Sequence, residues 1–297
     1  GKFTGAGSLV FQGGGTMNMT GASDFTGGFT INGSSTINTT GGGTQADTLA
    51  ITVADAGSHL ILGSDDLIGS IANAGLVDVN AAIALKSGLA NTGTVNVNYA
   101  TGVALDVAGN VANTGGTINL AAQTATWVGG NLTNTGTVNN TGGALAVVGN
   151  VSNNVGGKIN IAANSLDTYG SLTNSGTIAA TSQYDGIWNQ AGGSIGTLTN
   201  AAGGTISGVT GGIYNEGTIG AITNDGTITS RVSGLHNAGA IGSLTNNGTI
   251  SGTDSWDGIW NLGTGSIGTL TNSASGVISG ATGGIYNDGS VGTLSNS

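Results

Sequence analysis

The sequence contains no cysteine and no proline, and only 6% of its 297 residues are charged. Ordinary globular domains are about one quarter charged, so this chain avoids long charged side chains. The absence of cysteine is compatible with any redox compartment. It suits a bacterial protein that crosses the cell envelope unfolded, because disulfides would hinder that passage.

Basic residues are also scarce. The chain has a net charge of -10, and its only cations are Lys2, Lys86, Lys158 and Arg231. Four scattered cations cannot form a patch for phosphates, which excludes nucleic acid as a partner. No apolar run is long enough to span a bilayer, so we expect no membrane insertion by this segment. No signal peptide is visible, and a chain that begins at Gly1 without methionine is expected to be an excised or processed segment.

Glycine is abundant instead, with 60 residues, and Asn, Thr, Ser, Ala, Val and Ile make up much of the remainder. Glycine costs about 1 kcal/mol relative to alanine in a helix interior, while Asn, Thr and Ser prefer turns and strands. Apolar residues reach 37% and recur at regular intervals, unlike those of disordered chains. This composition predicts an all-β protein.

Short phrases recur about every two dozen residues. The Asn of a Gly-Ile-aromatic-Asn phrase recurs at Asn189, Asn215, Asn237, Asn261 and Asn287. The Asn of a second phrase recurs at Asn200, Asn224, Asn246, Asn272 and Asn296, and the Ile of a third at Ile178, Ile206, Ile228, Ile250 and Ile278. These three series of residues recur with about the same period. They therefore predict a parallel β-solenoid (β-helix) with three strands per coil and about 13 coils.

The length of the repeat divides the predicted solenoid, 1–297, into three segments. Residues 1–68 are N-terminal coils, 69–180 are shorter coils of about 20 residues, and 181–297 are longer coils of about 24 residues. The last segment has a super-repeat, because Gln183–Asn224 matches Ser255–Asn296 at an offset of 72 residues.

The phrase Asn-x-Gly followed by Ile, Val or Leu marks the predicted corners between strands, as at Asn73–Val77 and Asn215–Ile219. Asn and Gly tolerate positive φ, which we expect at a sharp bend. The following aliphatic residue then points inward. Stacked Asn side chains are expected to form an amide ladder along the axis.

One N-terminal segment resembles a known repeat. Met17–Gly21, Asp24–Gly28 and Thr30-Ile31 match the pattern L-x-L-T-G-x-N-x-Y-T-G-G-T-T-I of the passenger-associated repeat of bacterial autotransporters, with Asp24, Phe25 and Phe29 as departures. The resemblance covers about one coil. It implies a right-handed β-helix that is exported through a C-terminal outer-membrane barrel and displayed on the surface of a Gram-negative bacterium. Such passengers commonly act as adhesins.

The sequence offers little for catalysis, and we expect no catalytic residue, cofactor or metal. His59 and His236 lack neighbouring carboxylates or cysteines in the sequence. Gly192–Gly196 matches G-x-S-x-G, but it lies in a repeat corner rather than a strand-to-helix turn. Asp185 and Asp257, and also Glu216 and Asp288, are equivalent in the repeat, and we interpret them as solvated surface charges. Rows of Thr-x-Thr, which would indicate an ice-binding face, are not evident.

The most distinctive outer feature is a series of rings, one per coil. Because the Ile of Gly-Ile-aromatic-Asn points inward, the next residue points outward. The resulting aromatic column is Trp188, Tyr214, His236, Trp260 and Tyr286, flanked by Tyr184, Trp256, Asp185 and Asp257. Stacked rings either reinforce a sheet face or form a contact surface.

These observations favour a non-enzymatic extracellular bacterial adhesin that mediates cell-cell aggregation, biofilm formation or attachment to a host or to glycans through its side faces. Its partner would be itself or a surface glycan or protein receptor. An alternative is the subunit of an extracellular fibre assembled end to end through open sheet edges. A polysaccharide-acting enzyme is a third hypothesis, against which the four cations count.

Overall fold

The computed structural model describes residues 3–42, 47–121, 125–141, 143–162, 166–168 and 170–297. These residues form parallel strands and no helix, and the fold is a β-solenoid of about 12 turns. The predicted fold class and the three strands per coil are confirmed, with about 12 turns where the sequence suggested about 13. The described residues accordingly provide no helix long and apolar enough to cross a membrane.

The chain comprises two compact units, Gly1–Ala146 and Val147–Ser297. The strands that begin in the first unit are β1 (Leu9–Phe11), β2 (Thr16–Asn18), β3 (Phe29–Ile31), β4 (Thr36–Asn38), β5 (Ala50–Val53), β6 (His59–Leu62), β7 (Asp66–Asn73), β8 (Leu76–Val79), β9 (Ile83–Asn91), β10 (Thr94–Val97), β11 (Val103–Val107), β12 (Asn110–Asn113), β13 (Thr117–Leu120), β14 (Ala125–Val128), β15 (Leu132–Asn134), β16 (Thr137–Asn140) and β17 (Ala144–Val147).

The strands of the second unit are β18 (Val151–Asn153), β19 (Lys158–Ile161), β20 (Leu166–Thr168), β21 (Leu172–Asn174), β22 (Thr177–Ala180), β23 (Ile187–Asn189), β24 (Ser194–Asn200), β25 (Thr205–Gly208), β26 (Gly211–Asn215), β27 (Thr218–Asn224), β28 (Thr227–Ser230), β29 (Ser233–Asn237), β30 (Ala240–Asn246), β31 (Thr249–Gly252), β32 (Ile259–Asn261), β33 (Ser266–Asn272), β34 (Val277–Ser279), β35 (Ile285–Asn287) and β36 (Ser290–Asn296).

In the first unit, each strand pairs in parallel with its equivalents in the coils before and after it. Strands β2, β4, β6, β8, β10, β13 and β16 form one sheet, and β1, β3, β5, β7, β9, β11, β12, β14 and β15 belong to another. The long strand β9 pairs with both β11 and β12, so it serves two sides of its coil.

The second unit separates the three sides of the coil most clearly. One sheet contains β23, β26, β29, β32 and β35, a second contains β24, β27, β30, β33 and β36, and a third contains β25, β28, β31 and β34. A single coil is therefore β26, β27 and β28, with a short Asn-x-Gly corner after β26 and another after β27.

The core is a set of aliphatic columns. Leu198, Ile222, Leu244 and Leu270 lie opposite one another in successive strands, and each is at most 1% exposed. Fully burying one such side chain contributes about 1.5–3 kcal/mol. Because a single coil is too thin to enclose them, these side chains are covered only when the coils stack.

Asparagine ladders run beside these columns. In the second unit, one asparagine ladder contains Asn153, Asn174, Asn200, Asn224, Asn246, Asn272 and Asn296. A second contains Asn189, Asn215, Asn237, Asn261 and Asn287. In both, each amide nitrogen donates to the side-chain oxygen of the next coil, so the predicted ladder is confirmed. Such pairing satisfies polar groups that would be costly to bury alone.

The explanation of the corners by positive φ is wrong for the short Asn-x-Gly phrase. Gly217 and Gly226 do not have a positive φ, whereas Gly192 and Gly203, in the longer corners, have φ values of 83° and 81°. A Cβ on Gly217 would instead clash with the carbonyl oxygen of Gly193 in the preceding coil. Glycine is required at the short corners because the backbones of adjacent coils approach closely there.

The first unit contains a small apolar cavity of about 20 Å³. It is lined by Leu89, Leu105, Val111, Ile118, Leu120, Thr126, Val128, Leu132, Val138 and Leu145. The hydroxyl of Thr126 is buried and has no hydrogen-bond partner in the described chain. This space is too small for an organic ligand, so it is a packing defect of the core.

Candidate contact surface

The aromatic column forms on one sheet of the second unit. Strand pairing places Trp188 opposite Tyr214, Tyr214 opposite His236, His236 opposite Trp260, and Trp260 opposite Tyr286. The column thus contains one ring per coil, as the sequence predicts. The buried Ile or Leu before each ring sets this direction, because successive side chains of a strand point to opposite faces.

Four rings of the aromatic column stack on one another. The centroids of Trp188 and Tyr214 are 6.2 Å apart, those of Tyr214 and His236 4.5 Å, and those of His236 and Trp260 4.6 Å. The angles between these ring planes range from 6° to 26°. Stacking covers much of the ring faces, so the middle of the column presents mainly ring edges to solvent. This geometry supports a stabilising role for the inner rings.

Trp256 extends the stack from a neighbouring loop. Its ring lies 4.5 Å from that of Trp260 at an interplanar angle of 7°. Since His236 lies equally close to Trp260 and nearly parallel to it, Trp260 is held between the two rings. Trp256 remains 44% exposed. This loop therefore presents accessible aromatic surface at the edge of the stack.

Glu216 ties two rings of the column together. Nε1 of Trp188 donates to Oε2 of Glu216 at 2.9 Å, and the hydroxyl of Tyr214 donates to Oε1 at 3.0 Å. Burial, together with the hydrogen bond to this carboxylate, raises the pKa of Tyr214 to about 12. Both oxygens of Glu216 accept bonds from within the chain, so this carboxylate positions the rings. The sequence pattern did not reveal this role, because Glu216 does not occupy one of the aliphatic or aromatic positions that recur in each coil.

Asp185 and Asp257 occupy equivalent positions beside the column. Oδ1 of Asp185 accepts a bond from the Thr210 hydroxyl at 2.8 Å, and Oδ1 of Asp257 accepts one from Thr282 at 3.0 Å. Asp257 is only 5% exposed. Burial raises the pKa of Asp185 to about 6, and Glu216 adds to this effect. Their interpretation as solvated surface charges is therefore wrong, because each carboxylate accepts a hydrogen bond from the following coil, and Asp257 is buried while Asp185 is half-buried.

Each histidine lies in a different kind of environment. His236 is a member of the aromatic column, as its place in the repeat predicts, and burial lowers its pKa. Its Nε2 is buried without a hydrogen-bond partner in the described residues. His59 is not isolated from carboxylates, contrary to the prediction, because its Nε2 lies 2.8 Å from Oδ2 of Asp78 in the next coil.

The other catalytic and metal-binding patterns find no support in the geometry. Within the part of the chain that is described, no group of three or more His, Cys, Asp or Glu could hold a metal ion. Gly192 lies in a corner, and Ser194 opens strand β24. The G-x-S-x-G phrase therefore leads into a strand, not into the helix that a nucleophile elbow requires.

Tyr184, the equivalent of Trp256 in the super-repeat, is 37% exposed. The structure thus divides the predicted contact residues into two sets. Tyr184, Trp256 and Tyr286 present accessible rings, whereas Trp188, Tyr214, His236 and Trp260 are partly covered and Asp257 is buried. In comparisons with known proteins, no family model, curated protein or solved structure matches this chain.

Proposed function

We propose that this chain is a non-enzymatic adhesin on the surface of a Gram-negative bacterium, and that it is part of an autotransporter passenger. It attaches the cell to other cells or to surface glycans through a side face of the second unit. The observation that carries the proposal is the accessible ring of Trp256, which is 44% exposed at the edge of the aromatic stack.

Exposed rings beside polar side chains suit attachment. Aromatic side chains offer a large apolar area together with a polar tip, and they are enriched in contact surfaces. Asn, Ser and Thr on the neighbouring strands supply hydrogen-bonding groups, and lysine and arginine are almost absent from the chain. Contacts of this kind are individually weak, but repetition on one cell surface strengthens them through multivalency.

The assignment to an autotransporter passenger is supported by two features. Met17–Gly21 and Asp24–Gly28 resemble the passenger-associated repeat, and the chain is a parallel β-solenoid, the fold that the resemblance implies. Such a surface location also agrees with a sequence without cysteine.

The experiment is to display the chain on bacterial cells and to measure aggregation and binding to a glycan array. We expect the triple variant Tyr184→Ser, Trp256→Ser and Tyr286→Ser to lower aggregation or glycan binding at least tenfold. These rings are peripheral, so the far-ultraviolet circular dichroism should stay rich in β-structure.

The matched control is Trp127→Ser in the first unit, since Trp127 is 41% exposed but does not belong to the column. This control should keep full aggregation and binding. Equal losses in both variants, or no loss in the triple variant, would show that the rings of the second unit do not form the attachment site.

A further inference from the structure

The chain contains two Asn-Gly pairs, Asn32-Gly33 and Asn247-Gly248. An asparagine in such a pair can lose ammonia when the backbone nitrogen of the glycine attacks its side-chain amide carbon, because glycine has no side chain to hinder the approach. The first pair lies in the corner between β3 and β4, and the second lies in the corner between β30 and β31. Since the two pairs share a sequence, any difference in reactivity comes from their surroundings.

A carboxylate in the next coil contacts the attacking nitrogen of the first pair. The backbone nitrogen of Gly33 donates to Oδ2 of Asp55 at 2.6 Å. The carboxylate is held in this position, because Oδ1 accepts from the nitrogen of Gly57 at 3.0 Å and Oδ2 from the Ser58 hydroxyl at 3.0 Å. A carboxylate within hydrogen-bond distance of the proton to be removed meets the geometric condition for a general base.

Asp55 is ionised at neutral pH. Desolvation raises its pKa, but hydrogen bonds outweigh this effect and hold the pKa below its usual value. The donors are Gly33, Ser58, Gly57 and Ser34. A low pKa also makes a carboxylate a weak base. Its fixed contact with the N–H group compensates, because a positioned group acts at a high effective concentration.

The amide that would be attacked is not fixed by a bond to its oxygen. Oδ1 of Asn32 has no hydrogen-bond partner among the described residues. The corner is an open turn, in which Gly33 and Ser34 have φ values of 62° and 60°. An open recess of about 500 Å³ is lined in part by Asn32, Gly33 and Asp55. Water therefore reaches this corner, and ammonia can leave it.

The second pair has the opposite surroundings. The backbone nitrogen of Gly248 donates to the carbonyl oxygen of Asn224 at 2.9 Å, and a carbonyl group is too weakly basic to take up the proton. Nδ2 of Asn247 donates to Oδ1 of Asp225 at 2.6 Å. The carbonyl oxygen of Asn247 also accepts from the Ser275 hydroxyl at 2.9 Å. Both reacting groups are thus bonded elsewhere, and no base contacts the nitrogen.

From this contrast we propose that Asn32 is a site of spontaneous deamidation, with Asp55 as the general base. Oδ2 of Asp55 takes the proton from the nitrogen of Gly33, and this nitrogen forms a bond to Cγ of Asn32. The bond between Cγ and Nδ2 then breaks, and the amino group leaves as ammonia with that proton. Water opens the resulting succinimide to aspartate or isoaspartate. No oxidant or reductant is needed.

The modification changes the corner in two ways. It adds a negative charge next to Asp55, and isoaspartate lengthens the backbone by one carbon atom. Both changes weaken the contact between Gly33 and Asp55 that links two coils of the first unit. The reaction does not depend on the proposed attachment through Trp256, which lies in the second unit.

The test is to incubate the purified protein at neutral pH and to follow both pairs by peptide mass spectrometry, with an enzymatic assay for isoaspartate. In the folded protein, we expect Asn32 to react at least tenfold faster than Asn247. In concentrated urea, where the base and the protecting bonds are lost, the two should react at similar rates. Equal rates in the folded protein would overturn the proposal, as would a slower reaction of Asn32 in the folded state than in urea.

Asp55→Asn tests the base, because the amide keeps an acceptor oxygen but cannot take up the proton. We expect this variant to slow the reaction of Asn32 at least tenfold. A merely looser corner would speed the reaction instead, so an unchanged or faster rate would contradict the role of Asp55. The matched control is Asp106→Asn, which removes an exposed carboxylate of β11 in the same unit and should leave the rate at Asn32 unchanged. Circular dichroism checks that both variants are folded.

Discussion

The side-chain amide of Asn200 donates to Oδ1 of Asn224 at 2.8 Å, although 24 residues separate the two in the chain. Strand pairing places them directly opposite each other. Every column of the second unit depends on this alignment, because equivalent residues of successive coils must meet for buried amides, aliphatic side chains and rings to find their partners.

Removing one member of the asparagine ladder should be costly. Asn224 is fully buried, accepts from Asn200 and donates to Oδ1 of Asn246 and to the carbonyl of Thr249. Asn224→Ala leaves Oδ1 of Asn246 and the carbonyl of Thr249 without this donor, while Asn200 keeps its bonds to Gly204 and Thr227. We expect the free energy of unfolding to fall by about 3 kcal/mol. Urea denaturation followed by circular dichroism measures this. The control Asn247→Ala removes an exposed bond to Asp225 and should cost less than about 0.5 kcal/mol; similar costs would contradict the role of the ladder.

The close approach of coils at the short corners predicts that substitutions at two neighbouring residues differ sharply in their effect on stability. Gly217→Val introduces side-chain atoms against the carbonyl of Gly193, and we expect it to destabilise the protein by about 3 kcal/mol or more. Thr218 is exposed, so Thr218→Val should change stability by less than about 0.5 kcal/mol. Melting temperatures of the two variants decide the matter, and equal shifts would refute steric crowding at this corner.

The raised pKa of Asp185 predicts a dependence of stability on pH. Folding raises this pKa from 3.8 to about 6, so the folded state binds the proton more tightly than the unfolded state. The resulting stabilisation is complete below pH 3.8 and is lost as the pH rises through about 6. Asp185→Asn removes the charge, and we expect a gain of about 2 kcal/mol at pH 7 relative to the wild type.

Urea denaturation at several pH values between 4 and 7 tests this prediction. The profile of Asp185→Asn should be flatter than that of the wild type. Thr218→Val, a substitution of an exposed residue that does not titrate, should leave the slope unchanged. A wild-type profile that Asp185→Asn does not alter would mean that this carboxyl group titrates alike in the folded and unfolded states.

The buried hydroxyl in the first unit offers a stabilising substitution. Thr126 lines an apolar cavity, and its hydroxyl lacks a partner in the described chain. Thr126→Val replaces it with a methyl group of similar size, and we expect the free energy of unfolding to rise by about 1 kcal/mol. Thr133→Val, at an exposed position of β15, serves as the control with an expected change of less than about 0.5 kcal/mol. A loss of stability in Thr126→Val would indicate that the hydroxyl is hydrated.

Much of this fold could be predicted from spacing alone. Repeated phrases identified the strands, the inward aliphatic residues, the asparagine ladder and the members of the aromatic column. A solenoid makes this possible because its strand partners are the same phrase one coil later, so the period of the sequence is also the register of the sheets.

Contacts between residues that are not equivalent in the repeat escaped this reasoning. The stacking of Trp256 on Trp260, the bonds of Glu216 to Trp188 and Tyr214, and the pairing of His59 with Asp78 each depend on side-chain reach. The short corners differ from expectation for a related reason. Glycine is required there because the backbone of the neighbouring coil lies close, and the local sequence contains no information about the distance between two coils.

The amino-acid sequence by itself determined a cysteine-free parallel solenoid with few charged residues and with like residues above one another, because periodicity specifies which residues are neighbours along the axis. Only the tertiary structure decided which rings remain accessible, which carboxylates are buried and which hydroxyl groups stay free. Those properties depend on how far each side chain is covered by the coils next to it. This burial is set by the distances between atoms of adjacent coils, which the period of the sequence does not specify.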